Sequence, residues 1–294
     1  MATPLTADRL LKTLTDEGLT VVQVGNWRTH NRNHKGPWGP VNGVMIHHTV
    51  TRGTAHTVEL CRVGHSALPG PLCHGVIAKD GRVHLVGYGR TNHAGLGDGD
   101  VLQAVIAEKP LPTDDEASTD GNRHFYGFEC ENLGDGKDPW PAAQLLAIEQ
   151  VSAAICRAHD WSQRSVIGHK EWQPGKVDPR GFEMDSMRDR IAKRLDAPRP
   201  PAKPMPPTKP VAKYEPFPGA AFFTAGRRSA VVTAMGKRLV AEGCGRYTVG
   251  PGPAWSEADQ KSYAAWQRKL GFSGAGADGI PGKASWDRLK VPNV

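Results

Sequence analysis

The pattern of apolar and polar positions divides the chain into short runs of period two separated by stretches of helical spacing. Val44-Met45-Ile46-His47-His48-Thr49 is an apolar run ending in two histidines. Leu72–Ala78 and Val83–Gly87 flank Lys79-Asp80-Gly81-Arg82, and Asp-Gly at the turn predicts a β-hairpin. Phe125–Asn132 predicts a further strand, with Tyr126 and Phe128 on one face and Phe125, Gly127, Glu129 and Glu131 on the other. Val166-Ile167-Gly168 predicts another, ending at His169, and Val21, Val22 and Val24 mark an early one.

Between these runs the spacing turns helical. Thr6 precedes an amphipathic stretch that ends near Gly18, Thr54–Val63 reads as a helix, and Pro141 opens a long one on which Leu145, Ile148, Val151, Ile155 and His159 share a face. Met184–Leu195 predicts a closing helix, whereas Thr91–His124, with its glycines and the acidic run Asp114-Asp115-Glu116, reads as one long loop. Strands interleaved with helices predict an α/β fold with a mixed central sheet flanked by helices.

After residue 196 the pattern stops. From Ala197 to Lys213 seven prolines alternate with lysine and arginine and no acid, a semi-rigid linker able to span roughly 50 Å at about 3.1 Å per residue. Helical spacing resumes at Ser229–Gly243, at a segment opened by the capping-box sequence Ser256-Glu257-Ala258-Asp259, and at Lys283–Leu289, which predicts a small helical module. The expected organisation is a domain over 1–196, a linker over 197–214 and a helical domain over 215–294.

Charge sharpens this division. Residues 1–196 carry 22 Lys+Arg against 24 Asp+Glu, a balance of −2, so the remainder holds 15 against 6, or +9, more than the whole chain's net +7. A basic module on a near-neutral body suits an anionic surface. No apolar run approaches the ~20 residues of a membrane span, and the first residues lack the basic and apolar segments of a signal peptide, so a soluble protein made in the cytoplasm is expected. The five cysteines never form a C-x-x-C pair, which predicts buried free thiols and leaves open whether Cys61 and Cys73 pair.

The candidate chemistry lies in His47 or His48, His169 and Asp178. Two imidazoles and a carboxylate at the ends of apolar runs are the donor set of a catalytic zinc with a position left open. Adjacent strand residues point to opposite faces, so only one of His47 and His48 can serve, and spacing leaves the choice open.

These residues also carry a resemblance. Val44–Thr49, the strand from Cys73 to Gly81, Thr91-Asn92-His93-Ala94-Gly95, Tyr126-Gly127-Phe128-Glu129 and His169 through Asp178-Pro179 occur in the order found in the type-2 N-acetylmuramoyl-L-alanine amidases, whose fold is that of the peptidoglycan recognition proteins. The resemblance spans roughly residues 20–195. It implies zinc held by His47, His169 and Asp178, with Glu129 as general base and Lys176 stabilising the reacting carbonyl. Where some members carry a tyrosine, this chain has Cys73, so the proton-transfer role goes to Glu129. Glu131 is the rival base, and His48, His74 and His93 are neighbouring groups, with His93 expected at the groove edge. Trp172 is assigned equally to the groove or to packing.

The terminal module resembles peptidoglycan-binding domains through Ala265-Trp266-Gln267-Arg268-Lys269-Leu270-Gly271 and Asp278-Gly279-Ile280-Pro281-Gly282. The resemblance therefore implies a bacteriolytic phage-type endolysin, a monomer whose partner is bacterial peptidoglycan. It neither inserts in a membrane nor binds nucleic acid, and it reaches the cell wall after release from the host cytoplasm. Relatives that bind peptidoglycan without cutting it are the alternative.

Overall fold

The structure is a computed structural model and describes residues 2–198 and 214–292. The chain forms two compact units, residues 1–205 and 206–294. Most of the predicted linker, residues 199–213, lies outside the described residues.

Six strands make the central sheet of the first unit: β1 (Val21–Gln23), β2 (Gly43–His48), β3 (Gly75–Ile77), β4 (Val83–Leu85), β5 (Phe125–Cys130) and β6 (Val166–Gly168). Their order is β1-β4-β3-β5-β2-β6. Only the hairpin pair β3–β4 is antiparallel, and every other neighbour runs parallel, so the sheet is mixed as expected. The Asp80-Gly81 turn closes that hairpin through Ala78 N–H to the Arg82 carbonyl, with Gly81 at a φ of +82°.

Helices α1 (Ala7–Asp16), α2 (Thr54–Val63), α3 (Gly99–Ile106), α4 (Ala142–His159) and α5 (Met184–Asp196) surround the sheet. Thr6 caps α1 by accepting the Arg9 N–H. The main core lies on one sheet face, where Val44, Ile46, Tyr126, Phe128 and Val166 pack with Leu10 and Leu14 of α1, Ile148, Val151 and Ile155 of α4, and Met187 and Ile191 of α5. Each such side chain removed from water contributes about 1.5–3 kcal/mol. Buried Glu149 on α4 pairs with Arg190 and Arg194 of α5, which offsets the cost of burying its charge.

The opposite face is covered differently. Met45, Phe125 and Ile167 pack with Trp172, Ala94 and the apolar side of α3. This corrects the reading of Thr91–His124 as one loop. Asp98 caps α3 by accepting the N–H groups of Asp100 and Val101, and the same carboxylate takes those of Asp115 and Glu116. The acidic run itself is half-buried at Asp114 and exposed at Asp115 and Glu116, a loop facing solvent. All five cysteines are buried and free, Cys61 and Cys73 included.

The second unit contains α6 (Ala230–Ala241), α7 (Glu257–Lys269) and α8 (Lys283–Leu289). They close on Val232, Met235, Leu239, Tyr263, Trp266, Trp286 and Leu289. The predicted capping box forms: Ser256 N–H donates to Asp259 Oδ2, and Ser256 Oγ accepts from the Asp259 N–H. Gln267 brackets the Asp278–Gly282 turn, accepting the Gly279 N–H and donating to the Ile280 carbonyl.

Candidate metal centre

Strand pairing sets the site. In the parallel pair β2–β5, His47 lies directly opposite Glu129, and Met45 opposite Gly127, so all four share the face away from the main core. His169 follows the last residue of β6, which pairs β2 on its other side. Two neighbouring parallel strands thus end with a histidine each at the same edge of the sheet.

Asp178 is brought to this edge by three backbone anchors. Its carbonyl accepts the Lys170 N–H at 2.7 Å, Pro179 packs against the bare Cα of Gly168, and the Arg180 N–H donates to His48 Nδ1 at 3.1 Å. His48 therefore steadies the segment that follows Asp178 and stays out of the cluster. Of the adjacent pair, His47 is the one that faces His169 and Asp178.

His47 Nδ1, His169 Nδ1 and Asp178 Oδ2 meet with all three separations at 3.1 Å. Four ligands held tetrahedrally at about 2.0–2.2 Å from one zinc ion stand roughly 3.3 Å apart, so this triangle has the size of one face of such a site. The donors, two imidazole nitrogens and a carboxylate oxygen, suit zinc and its transition-metal neighbours. Among the described residues, these three are the group able to hold a metal ion.

The electrostatics favour the binding-competent forms. Burial lowers the pKa of His47 to about 4, with the neighbouring His169 acting the same way, so its imidazole is neutral at pH 7. For Asp178 burial acts to raise the pKa, but hydrogen bonds from His169 and His47 outweigh it and hold the carboxyl well below the usual range.

Glu129 stands beside this cluster. Burial, and then the charge of Asp178, push its carboxyl well above the ordinary range, while Lys176 works against them. Its Oε2 is buried without a partner, an unsatisfied acceptor of the kind that marks a group with chemistry to do. Lys176 is exposed on the segment leading to Asp178 and bears electrostatically on both His47 and Glu129.

Glu131, the rival base, is engaged elsewhere. The strand ends at Cys130, and the Glu131 carboxylate takes the Gly53 N–H at 2.9 Å and the Thr54 hydroxyl at 2.7 Å, serving as the cap of α2. Cys73 sits in an apolar cluster with Val58, Cys61, Val76 and Val86, and burial followed by Cys61 raises its thiol well above the usual value. His74 is a core residue whose Nδ1 accepts the Gly127 N–H and whose Nε2 donates to the Gly89 carbonyl. Trp172 is fully buried and donates to the Ala94 carbonyl, so it packs the site from beneath and does not line a groove.

His93 departs from its expected place at the groove edge. It is buried at 8% exposure, with its ring over Gly127, where an added Cβ would come within 2.4 Å of Nδ1. That Nδ1 lies 3.0 Å from His47 Nε2. Two further residues escaped the sequence reading. Gln173 meets His169 Nε2 at 3.3 Å, and its spacing of four residues from His169 on a helical turn could have flagged it. Asn122 Oδ1 holds the N–H groups of His93 and Ala94, a contact between distant segments with no local signal.

Residues 37–181 match the N-acetylmuramoyl-L-alanine amidase family. The matched span contains every member of the cluster, from His47 to Asp178, together with Glu129 and Lys176. Solved structures similar to the chain include the catalytic domain of XlyA, at 18% identity over 59% of this chain and 99% of that one, with a TM-score of 0.40. The AmpD derivative is 16% identical over 60% and 97%, with a TM-score of 0.40. The amidase AmiD from E. coli, in complex with an anhydro-N-acetylmuramic acid peptide, is 14% identical over 89% and 91%, with a TM-score of 0.40. No curated protein sequence matches significantly.

Proposed function

We propose that the first unit is a zinc-dependent N-acetylmuramoyl-L-alanine amidase, which hydrolyses the amide between the lactyl group of N-acetylmuramic acid and L-alanine in bacterial peptidoglycan. The observation that carries this reading is the 3.1 Å triangle of His47, His169 and Asp178 with Glu129 in register beside it, inside the span that matches the amidase family. Zinc held by these three residues would supply a polarising Lewis acid and a water of lowered pKa, both of which an unreactive amide needs.

The remaining roles belong to side chains. Glu129 takes a proton from the attacking water and delivers it to the leaving amine of L-alanine, a function suited to a carboxyl whose proton affinity is raised. Lys176 offsets negative charge on the carbonyl oxygen as it becomes tetrahedral. His47 enters as a neutral ligand, which its low pKa supports.

The helical unit is read as the part that holds the enzyme on the wall, supported by its excess of Lys and Arg and by the motifs around Trp266 and Gly279. A role in cell lysis, acting on the wall after release from a host cytoplasm as an endolysin does, rests on the sequence resemblance. Among the described residues no helix is long and apolar enough to cross a membrane.

The test is digestion of purified peptidoglycan with and without a chelator, followed by identification of the newly exposed group. The amidase reading requires chelator-sensitive release of N-terminal alanine with no new reducing sugar ends. Tight binding to peptidoglycan with no new end groups at any zinc concentration overturns it in favour of a recognition protein.

A further inference from the structure

Both histidines of the cluster turn the same nitrogen inward. His47 and His169 direct Nδ1 toward Asp178 and each other, and each directs Nε2 toward another side chain: His93 Nδ1 at 3.0 Å and Gln173 Oε1 at 3.3 Å. A neutral imidazole that offers the lone pair of Nδ1 to a metal carries its proton on Nε2, and inside a closed site that proton needs an acceptor. We propose that His93 and Gln173 are positioning residues that accept the Nε2 protons of His47 and His169, fixing the tautomer and ring orientation in which both bind metal through Nδ1. This inference rests on the reading of the cluster as a metal site.

The surroundings of His93 favour this role over packing. An aliphatic or phenyl side chain would fill the same space without burying polar nitrogens, which is costly unless they are paired. Instead the fold makes room for an imidazole. Gly127 leaves its ring an open seat on β5, Asn122 pins the backbone on either side, and Trp172 holds the carbonyl of Ala94. The ring stands edge-on to His47 at 84° with centroids 5.2 Å apart, and its far nitrogen, Nε2, has no partner. Besides the Phe125 carbonyl, which bears on the ring as a backbone partner, the polar contact of this buried imidazole is the one its Nδ1 makes with His47. Gln173 occupies the equivalent place for His169 on a different segment, so each ligand has its own acceptor.

The test measures zinc itself. Zinc dissociation constants of the full chain are determined by chelator competition for wild type, His93→Phe, His93→Gln and Gln173→Met, and long-range proton–nitrogen spectra of the zinc-loaded wild type report which imidazole nitrogens carry protons. Loss of either acceptor is expected to weaken zinc binding by about 10–100-fold. His93→Gln, which keeps an acceptor oxygen, should recover most of that loss, a rescue that a packing role does not give. The spectra should show protonated Nε2 on both His47 and His169.

Zinc affinity of His93→Phe and Gln173→Met within about twofold of wild type, or a proton on His47 Nδ1 in the loaded protein, overturns the inference. Should His93→Phe fail to fold, Gln173→Met and the wild-type spectra decide it without that variant. A wild-type chain that takes up no zinc removes the metal reading itself, which separates that failure from failure of the positioning role.

Discussion

Acidification to pH 4 should weaken the first unit, and one separable part of that loss runs through the core side chain His74. Its Nδ1 accepts the Gly127 N–H at 2.9 Å and its Nε2 donates to the Gly89 carbonyl at 2.9 Å, while the ring stacks on Trp38 with centroids 4.9 Å apart. Only the neutral tautomer satisfies both contacts. A proton added at Nδ1 would face another N–H and would place a charge in the core, and burial accordingly lowers its pKa to about 4 from an ordinary 6.5. The sign follows from linkage: the unfolded chain takes up the proton near 6.5 and the folded chain resists it. The stability is therefore whole above about pH 6.5 and is lost as pH falls toward 4. At about 1.36 kcal/mol for each tenfold change in proton affinity, the loss attributable to His74 reaches about 3 kcal/mol at pH 4. Denaturant melts of wild type and His74→Gln between pH 7.5 and 4 measure it, because the variant lacks the titrating group. The stability gap between the two proteins should close by about that amount over this range. A gap that stays constant, or an NMR titration placing the His74 midpoint at 6 or above, refutes the reasoning.

Asp178→Ala should lose bound zinc by elemental analysis, because it removes one corner of the triangle and the charge that faces both imidazoles. Glu129→Gln should retain zinc while turnover on peptidoglycan falls by about 10²–10⁴-fold, and Lys176→Ala should lower turnover by roughly 10²-fold at unchanged zinc content. Glu131→Ala should leave zinc and the chemical step in place and cost about 1–2 kcal/mol in a denaturant melt by uncapping α2, an outcome opposite to that expected of a base. Gly127→Ala should cost about 1–3 kcal/mol and weaken zinc binding together, since its methyl group would push the His93 ring off β5.

Much of the scaffold could be read from periodicity, and its failures have particular causes. The strands at Val44 and Val166, the hairpin at Asp80-Gly81 and the helices at Thr54, Ala142 and Met184 follow strong local patterns that tertiary packing reinforces. Helix α3 was hidden because it is short, begins with Gly99 and lies among turn residues; its signal was Asp98 followed by Val101, Leu102 and Val105. Glu129 and Glu131 share a face by alternation, and nothing local reveals that the strand stops between them. Glycines around His93 suggested an exposed loop, whereas its burial depends on Gly127, on another strand. Spacing alone does not separate His47 from His48; the resemblance favours His47, and the physical reason is that β2 has the main core on one side and Asp178 on the other.

The pairing of β2 with β5 also says which changes in chain length the protein can absorb. A single residue inserted or deleted within Phe125–Cys130 moves Glu129 off the face of His47 and delivers Phe128 or Cys130 in its place, while turning Tyr126 out of the main core. Such a change strikes stability and chemistry at once, so length variation should be tolerated instead at the exposed residues Pro112 and Thr113, ahead of the amides that Asp98 holds and away from any strand register.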